Sequence, residues 1–238
     1  MKVCLGFYGL VHRSLKYTYS SIEKNIINVL KENNIDYDLY IHTFDNKTSN
    51  TKWGKIENEI PINIDDIKLF NSNNISINNE NDFNNKYDFV QLYKNGDIWN
   101  NNFSSVHNAI RELYSLQKLY KMINGDYDLY IFTRADLFFE NKLDINFILT
   151  NLKNNTLFTL PYGKCNGNIN DLLTICDKDA IKIIANRLDF CVEYVENGYI
   201  FWTEGLLKYL VDKFRINVID INLYCYRVRA NGDILKQY

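Results

Sequence analysis

The stretch that decides the fold is residues 127–139, which read YDLYIFTRADLFF. Its first half, Leu129–Thr133, is a nearly continuous apolar run, which is typical of a strand covered on both faces. Arg134 and Asp136 follow where that strand should end, and residues two apart on an extended chain point to the same side. Because open α/β sheets bind ligands beyond the carboxyl ends of their strands, the stretch predicts a buried central strand with a charged site at its end.

Strand and helix signals alternate around this stretch. Val3–Tyr8 and Asp38–Phe44 are apolar runs typical of strands, and Ser20–Leu30 between them has the apolar spacing of a helix. Such a β-α-β opening places its two strands parallel to each other. Downstream, the pattern predicts helices at Val106–Met122, Asp179–Val195 and Glu204–Phe214, and strands at Leu157–Leu160, Leu172–Cys176, Val218–Ile221 and Leu223–Val228. The order predicts an α/β fold, a three-layer α/β/α arrangement with a mixed, mainly parallel central sheet.

Residues 46–102 show the weakest pattern of the chain. They are rich in Asn, and the strand-like pieces in them lie near Ile62–Phe70 and Asp88–Tyr93. Long segments of this kind are usually functional loops or mobile ones. We interpret 46–102 as a variable, loop-rich insertion in a single domain that spans residues 1–238.

Composition and charge argue against several function classes. The 27 basic and 29 acidic residues give a net charge of −2 without a basic stripe, so we expect no nucleic-acid partner. The longest apolar runs are a few residues, so we expect no transmembrane segment, and the first residues do not resemble a secretory signal. The scattered cysteines form no C-x-x-C pair, which favours reduced thiols and a cytoplasmic location; they are Cys4, Cys165, Cys176, Cys191 and Cys225.

The ends of the first two predicted strands carry candidate ligand-binding residues. Gly9 would let backbone N–H groups approach a phosphate, and Arg13 would bind phosphate oxygens; the alternative is a plain loop with one exposed arginine. His42 lies inside an apolar run, which favours a core histidine over a metal ligand or general base. Asp45 would receive a ribose or base edge, or cap a turn.

The end of the central strand and two downstream acids are the other candidates. Asp136 would hold a divalent cation that bridges a diphosphate, and Arg134 would neutralise the same diphosphate; the alternative is a structural ion pair between them. Asp171 lies in a loop that enters a strand. Glu204 lies in the first turn of a helix with Thr203 as its N-cap, where the helix dipole favours an ionised carboxylate. A turn aspartate and a capping glutamate are the alternatives for these two acids.

Six short pieces, taken in order, resemble small GT-A-type glycosyltransferases of the kind found in bacterial surface-polysaccharide clusters and large DNA viruses. The resemblance spans nearly the whole chain except about residues 46–100, and it depends on the order and spacing of the pieces. They are Gly9–Arg13, Tyr40–Asp45, Glu112–Lys118, Tyr127–Phe139, the Asn170-Asp171 turn and the segment 203–207, which reads TEGLL.

The resemblance implies a GT-A-like fold and transfer of a sugar from a nucleotide diphosphate sugar to a hydroxyl of a glycan or glycolipid acceptor. The D-x-D motif of the family falls at residues 134–136, where Arg134 replaces the first acid. Asp136 is therefore the residue that the resemblance implies as a ligand of Mn²⁺ or Mg²⁺, and Arg134 would supply positive charge in place of the metal.

The expected roles follow from this resemblance. An inverting transferase needs a carboxylate base near the acceptor hydroxyl, and Glu204 is the first candidate with Asp171 as the second. The nucleotide and diphosphate would contact Gly9, Arg13, Asp45, Arg134 and Asp136. The protein would act in a bacterial cytoplasm, or in a host cytoplasm if it is viral.

Two other functions stay open at this point. One is a catalytically degenerate protein that only binds a nucleotide sugar or a glycan, which the lost first acid of D-x-D favours. The other is a sugar-phosphate nucleotidyltransferase, which usually has a glycine-rich loop after the first strand. Gly6 and Gly9 are too sparse for such a loop.

Overall fold

The computed structural model of the protein describes residues 1–51, 57–164 and 167–236. Strands in these ranges are β1 (Lys2–Tyr8), β2 (Asp36–Phe44), β3 (Thr48–Thr51), β4 (Glu57–Pro61), β5 (Asn74–Asn78), β6 (Leu129–Arg134), β7 (Leu137–Phe139), β8 (Thr156–Thr159), β9 (Leu173–Cys176), β10 (Asn217–Asp220), β11 (Cys225–Val228) and β12 (Ile234–Leu235). The α-helices are α1 (Leu15–Ile22), α2 (Asn28–Glu32), α3 (Glu80–Asn84), α4 (Ser104–Lys121), α5 (Ile145–Asn151), α6 (Lys178–Ile184), α7 (Cys191–Glu196) and α8 (Thr203–Phe214).

The central sheet has seven strands in the order β10-β8-β9-β6-β1-β2-β5. The run β6-β1-β2-β5 is parallel, and β10 is parallel to β8, whereas β9 runs antiparallel to both β6 and β8. The pairing sets Gly6 of β1 between Tyr40 of β2 and Phe132 of β6. The prediction of a mixed, mainly parallel sheet is therefore confirmed, as is the parallel β-α-β opening.

Apolar side chains cover both faces of this sheet. Along β1, Leu5 and Phe7 join a core with α1, α2 and α5, whereas Cys4 and Tyr8 join a second core with α4, α6 and α8. This alternation is what a strand produces when each face packs against helices. The expected three-layer α/β/α arrangement is confirmed.

A small antiparallel sheet, β12-β11-β7, completes the edge where the parallel strands end. The N–H of Val228 donates to the carbonyl of Asp136 at 2.8 Å, and Ser14 Oγ donates to the carbonyl of Val228 at 2.6 Å. Arg227 pairs with Leu137 in the register of β11 and β7. The small sheet therefore holds the segment after residue 225 next to the turn that follows β6.

Two predicted helices differ from the structure in their bounds. The first begins at Leu15 and continues through a π-helical turn, Glu23–Ile27, into α2, so it extends beyond the predicted Ser20–Leu30 at both ends. The helix predicted at Asp179–Val195 consists of α6, a 3₁₀ turn and α7. The 3₁₀ turn begins at Arg187, whose side chain is fully buried.

The two strands predicted inside 46–102 are wrong, because both segments form 3₁₀ turns. The first turn is Ile64–Phe70, where the Asn63 side chain accepts from the Asp65 N–H at 3.1 Å. In the second, Asp88 Oδ1 accepts from the Val90 N–H at 3.0 Å. Short polar side chains that bond nearby backbone in this way compete with strand pairing. The insertion nevertheless supplies β5 to the central sheet, and its residues 52–56 lie outside the described part.

The cysteines of the described part are buried thiols without disulfides, namely Cys4, Cys176, Cys191 and Cys225. Cys165 lies outside the described residues. None of the helices in the described ranges has an apolar stretch long enough to cross a bilayer.

Candidate functional site

A cavity of about 950 Å³ lies at the carboxyl ends of β1, β2 and β6. Tyr8, Phe44 and Arg134, which end those three strands, line it. The first turns of α4 and α8, the β3–β4 hairpin and β11 form the other sides. Its position is the one at which open α/β sheets bind ligands.

Arg134 and Asp136 contact each other on the floor of this cavity. Nε of Arg134 donates to Oδ1 of Asp136 at 2.9 Å, and a terminal nitrogen donates to Oδ2 at 2.6 Å. The other terminal nitrogen donates to Glu112 on α4 at 2.7 Å. Burial works to raise the pKa of Asp136, but the charge and hydrogen bonds of Arg134 outweigh it and hold that pKa well below its usual range. Asp136 is therefore an ionised carboxylate in a bidentate ion pair.

Arg13 connects this pair to the β3–β4 hairpin. One terminal nitrogen of Arg13 donates to Glu57, and the other lies 3.6 Å from Oδ2 of Asp136. Glu57 is buried and also accepts from Ser49 Oγ at 2.9 Å and from the N–H of Ala230 at 2.5 Å. The loop after β1, the hairpin and the end of β11 therefore meet at one carboxylate.

Two further arginines, Arg227 and Arg229, enter the cavity from β11 and the residue just after it. Among the residues that the structure describes, no oxygen atom accepts a hydrogen bond from the side chain of Arg227. Burial, with the nearby charge of Arg134, lowers the pKa of Arg227. Burial, with the charge of Arg13, lowers the pKa of Arg229 to about 10. Four arginines, Arg13, Arg134, Arg227 and Arg229, therefore line this part of the cavity.

Gly9 lines the cavity, but its amide does not face a ligand. The Gly9 N–H donates to Ser115 Oγ at 2.7 Å, and its φ of +88° is a conformation that favours glycine. Ser115 Oγ also lies 2.7 Å from Nδ1 of His42, and Nε2 of His42 lies 2.7 Å from Oδ1 of Asn78. Burial lowers the pKa of His42 to about 4, so it is the core histidine that its apolar run predicts.

Asp45 lies outside the cavity lining, exposed at the end of β2. Its N–H donates to the carbonyl of Asn78, and its carboxylate accepts from Nδ2 of Asn79 at 2.9 Å. These contacts are those of a turn, which was one of the two interpretations of this residue.

Glu204 lines the cavity from the first turn of α8. Thr203 Oγ1 donates to Oε2 of Glu204 at 3.1 Å. Burial, with the charge of Asp171 as a second cause, raises the pKa of Glu204 to about 7. The predicted N-cap is wrong by one residue, because Thr203 is the first helical residue and Trp202, in extended conformation, is the cap.

Asp171 is buried behind the cavity and does not line it. Its Oδ2 lies 3.8 Å from a terminal nitrogen of Arg187, and its carbonyl accepts from the Tyr8 hydroxyl at 3.3 Å. Asp171 therefore acts on Glu204 through its charge and not through a shared ligand-binding surface.

Gly205 determines where the indole of Trp202 lies. A Cβ at Gly205 would overlap the Trp202 indole and the Tyr194 hydroxyl. The missing side chain lets Trp202 lie across the start of α8, where it lines the cavity beside Glu204.

The residues around Asp136 do not fit a divalent cation. Both carboxylate oxygens of Asp136 accept from Arg134, and Arg13 lies beside them. Mg²⁺ and Mn²⁺ prefer oxygen ligands, and two guanidinium groups at that position repel a cation. In the ranges that the structure describes, no three His, Cys, Asp or Glu side chains are grouped as metal ligands would be. The expectation that Asp136 ligates Mn²⁺ or Mg²⁺ therefore has no support in this geometry.

Seven charged residues of the cavity lining were not among the predicted site residues: Glu57, Glu80, Arg111, Glu112, Arg227, Arg229 and Lys236. The alternation of the two arginines in the segment 226–229, which reads YRVR, was a usable signal, because alternate strand residues share a face. Glu112 lies in a segment already singled out on α4. Glu57 lies in the Asn-rich insertion and had no signal.

Comparisons with known proteins give structural similarity only. No family model matches the chain, and no curated protein matches its sequence. The galactosyltransferase LgtC, solved in complex with donor and acceptor sugar analogs, is similar with a TM-score of 0.48 and 12% identity, over 93% of this chain and 73% of that one. Mouse xyloside xylosyltransferase 1, solved in its apo form, is similar with a TM-score of 0.45 and 8% identity, over 93% of this chain and 85% of that one.

Proposed function

We propose that the protein transfers a sugar from a nucleotide diphosphate sugar to a hydroxyl group of a glycan or glycolipid. One observation carries the proposal: a single cavity contains a carboxyl group whose pKa burial raises to about 7, Glu204, and a guanidinium that has no acceptor among the described residues, Arg227. Sugar transfer needs both, since a proton leaves the acceptor while negative charge develops on the leaving group.

The chemistry assigns one task to each side of the cavity. The acceptor oxygen forms a bond to the anomeric carbon as the bond from that carbon to the diphosphate oxygen breaks. The acceptor proton passes to the Glu204 carboxylate, and the electron pair of the broken bond leaves with the nucleoside diphosphate. A base is most effective when its pKa lies near the working pH, and burial places the pKa of Glu204 at about 7.

The donor would occupy the side of the cavity formed by the ends of β1 and β6. Arg13, Arg134 and Asp136 lie there in one ion-pair network. Gly9 lines the same part of the cavity and, having no side chain, leaves space for the donor. Asp45 is left out of the proposed donor site because it does not line the cavity.

The acceptor would approach from the side formed by α4 and the segment before it. Trp99, exposed at 42%, lines this side together with Asn108 and Arg111. An aromatic surface with a few polar groups is a common lining of ligand sites. From this side a hydroxyl group would reach Glu204, beside Trp202.

A protein that only binds a nucleotide sugar is the second candidate. The observation that favours it is the replacement of the first acid of D-x-D by Arg134, which occupies both oxygens of Asp136. A transferase turns over the nucleotide sugar and a binding protein does not, so a single turnover assay separates the two candidates.

Thermal unfolding with a panel of nucleotide sugars, with and without Mn²⁺, tests for the donor. A ligand that binds the folded state raises the unfolding temperature by mass action. Each hit is then assayed for release of the nucleoside diphosphate, with and without glycan acceptors. Stabilisation without release would favour the binding protein, and no stabilisation by any sugar would contradict both candidates.

The Glu204→Gln variant tests the base. We expect transfer to fall by about 100-fold or more, because general base catalysis contributes about 10²–10⁴-fold, while the donor still stabilises the variant. Glu196→Gln is a matched control, since Glu196 is exposed on α7 and lies outside the cavity lining. Near-full activity of a folded Glu204→Gln variant would contradict the assignment.

A further inference from the structure

Arg134 is held by carboxylates of the protein through all three of its nitrogens. Its Nε and one terminal nitrogen donate to Asp136, and its other terminal nitrogen donates to Glu112. Arg134 therefore supplies positive charge to the cavity but is fixed in an ion pair on each of its three nitrogens. Three of its five N–H groups are used in this way, so a guanidinium that is not held by carboxylates is the better donor for an anion that enters the cavity.

Arg227 is placed to be that donor. It lines the cavity, and within the described ranges no hydrogen bond or ion pair engages its guanidinium. Its Nε is shielded from solvent, and a shielded donor without an acceptor costs free energy. The pairing of β11 with β7 fixes the backbone of Arg227 opposite Leu137, which is the residue after Asp136.

The charges around Arg227 leave room for an anion. Around Asp136 the cavity is lined by the guanidinium groups of Arg13, Arg134, Arg227 and Arg229 and, apart from Glu204, by the carboxylates of Glu57, Glu112 and Asp136. Arg111, elsewhere in the lining, is paired with Glu80. While Glu204 is protonated, these four positive groups face three negative ones. In a shielded site this excess attracts an anion more strongly than it would in water.

We propose that Arg227 binds the donor diphosphate directly, supported by the charges of Arg13 and Arg229, and that this site performs the task for which related folds use a divalent cation. The inference rests on the proposed function, because it takes the anion to be the diphosphate of a nucleotide sugar. A guanidinium binds two phosphate oxygens with two parallel hydrogen bonds. As the sugar–oxygen bond breaks, the added negative charge of the diphosphate develops beside Arg227, and no bound cation is needed to balance it.

Inorganic pyrophosphate is the probe, because it carries the diphosphate without a nucleotide base. Isothermal titration calorimetry of the full chain in EDTA should show binding. Arg227→Gln should weaken that binding at least 10-fold, and Arg227→Lys, which keeps the charge but loses the planar fork, should weaken it less. Arg215→Gln is the matched control, because Arg215 is exposed after α8 and lies outside the cavity lining.

Three results would overturn the proposal. The first is binding of pyrophosphate only with Mg²⁺ or Mn²⁺, the second is no binding under either condition, and the third is unchanged binding to Arg227→Gln. The EDTA titration uses the unmodified chain, so it decides the question even if a variant does not fold.

Turnover assays separate this proposal from the proposed function. Nucleotide-sugar turnover that requires Mn²⁺ would refute the arginine site and keep the transferase. Metal-free binding of pyrophosphate that depends on Arg227, without turnover of any nucleotide sugar, would keep the anion site and refute the transferase.

Discussion

Arg134, the last residue of β6, and Asp136, in the turn before β7, form a bidentate ion pair with donor–acceptor distances of 2.9 and 2.6 Å. Because the two partners are so close in sequence, the pair forms with the turn itself and loses little further chain entropy. Both residues of the pair line the cavity, as do Arg13, which lies 3.6 Å from Asp136, and Arg227. The structural ion pair considered from the sequence is thus present, and it lies inside the candidate site.

Asp136→Asn should destabilise the protein by about 3–5 kcal/mol, since removal of one partner leaves the buried charge of the other uncompensated. Urea denaturation at pH 7 measures the change. Asp126→Asn is the control, because Asp126 is exposed and surface substitutions usually change stability by less than about 0.5 kcal/mol. The folded-state pKa of Asp136 is lowered, so its contribution is present above pH about 4 and diminishes as the pH falls further. A cost at pH 7 no larger than that of the control would contradict the ion pair.

Glu204 should impose a pH dependence on both rate and stability. Its pKa is raised to about 7, so kcat/KM should rise with pH up to about 7 and then level, and Glu204→Gln should lose this rise. A raised folded-state pKa contributes stability below the ordinary value of 4.5 that is lost as the pH passes 7. Glu204→Gln should therefore be more stable than the unmodified protein by about 3 kcal/mol at pH 8 and equal to it at pH 4. Equal stability at both pH values would contradict the raised pKa.

Gly205→Ala should displace the indole of Trp202, because the added methyl group overlaps it. We expect a loss of about 1–3 kcal/mol, which is typical of overpacked sites, together with a change in tryptophan fluorescence. Lys208→Ala on the same helix is the control, since Lys208 forms a surface ion pair with Asp212. An unchanged fluorescence spectrum in Gly205→Ala would show that Trp202 does not lie across the start of α8.

His42 should stay neutral well into the acidic range. Burial lowers its pKa to about 4 from the ordinary 6.5, so the unfolded chain binds a proton in that interval that the folded protein does not. Stability should therefore fall as the pH decreases from 6.5 to 4, by at most about 1.4 kcal/mol per pH unit from this residue. An NMR titration of the imidazole measures the pKa directly, and a midpoint near 6.5 would contradict the buried ring.

The strands of the central sheet were predictable because apolar runs reflect burial on both faces. Val3–Tyr8 and Leu129–Thr133 nearly match β1 and β6, and the residues that follow them do reach the cavity. The strand predicted near Ile62–Phe70 failed because the backbone contact of the Asn63 side chain outweighed a weak apolar pattern.

The candidate site was only partly predictable, because its charges come from distant parts of the chain. Glu57 and Arg227 are brought to Arg13 and Asp136 by a hairpin and by β11, and no local pattern encodes such contacts. Asp171 was the second candidate for the base. It does not line the cavity, and its carboxylate lies near Arg187, which is 16 residues further along the chain.

The pairing of β11 with β7 has a consequence for synthesis of the protein on the ribosome. In the described part of the chain, every strand of the central sheet precedes residue 221, whereas β11 begins at Cys225. Chains emerge from the ribosome amino end first, and folding begins before synthesis ends. The strands of the seven-stranded sheet therefore leave the ribosome before Arg227 does, and Arg227 reaches the cavity only when β11 pairs with β7.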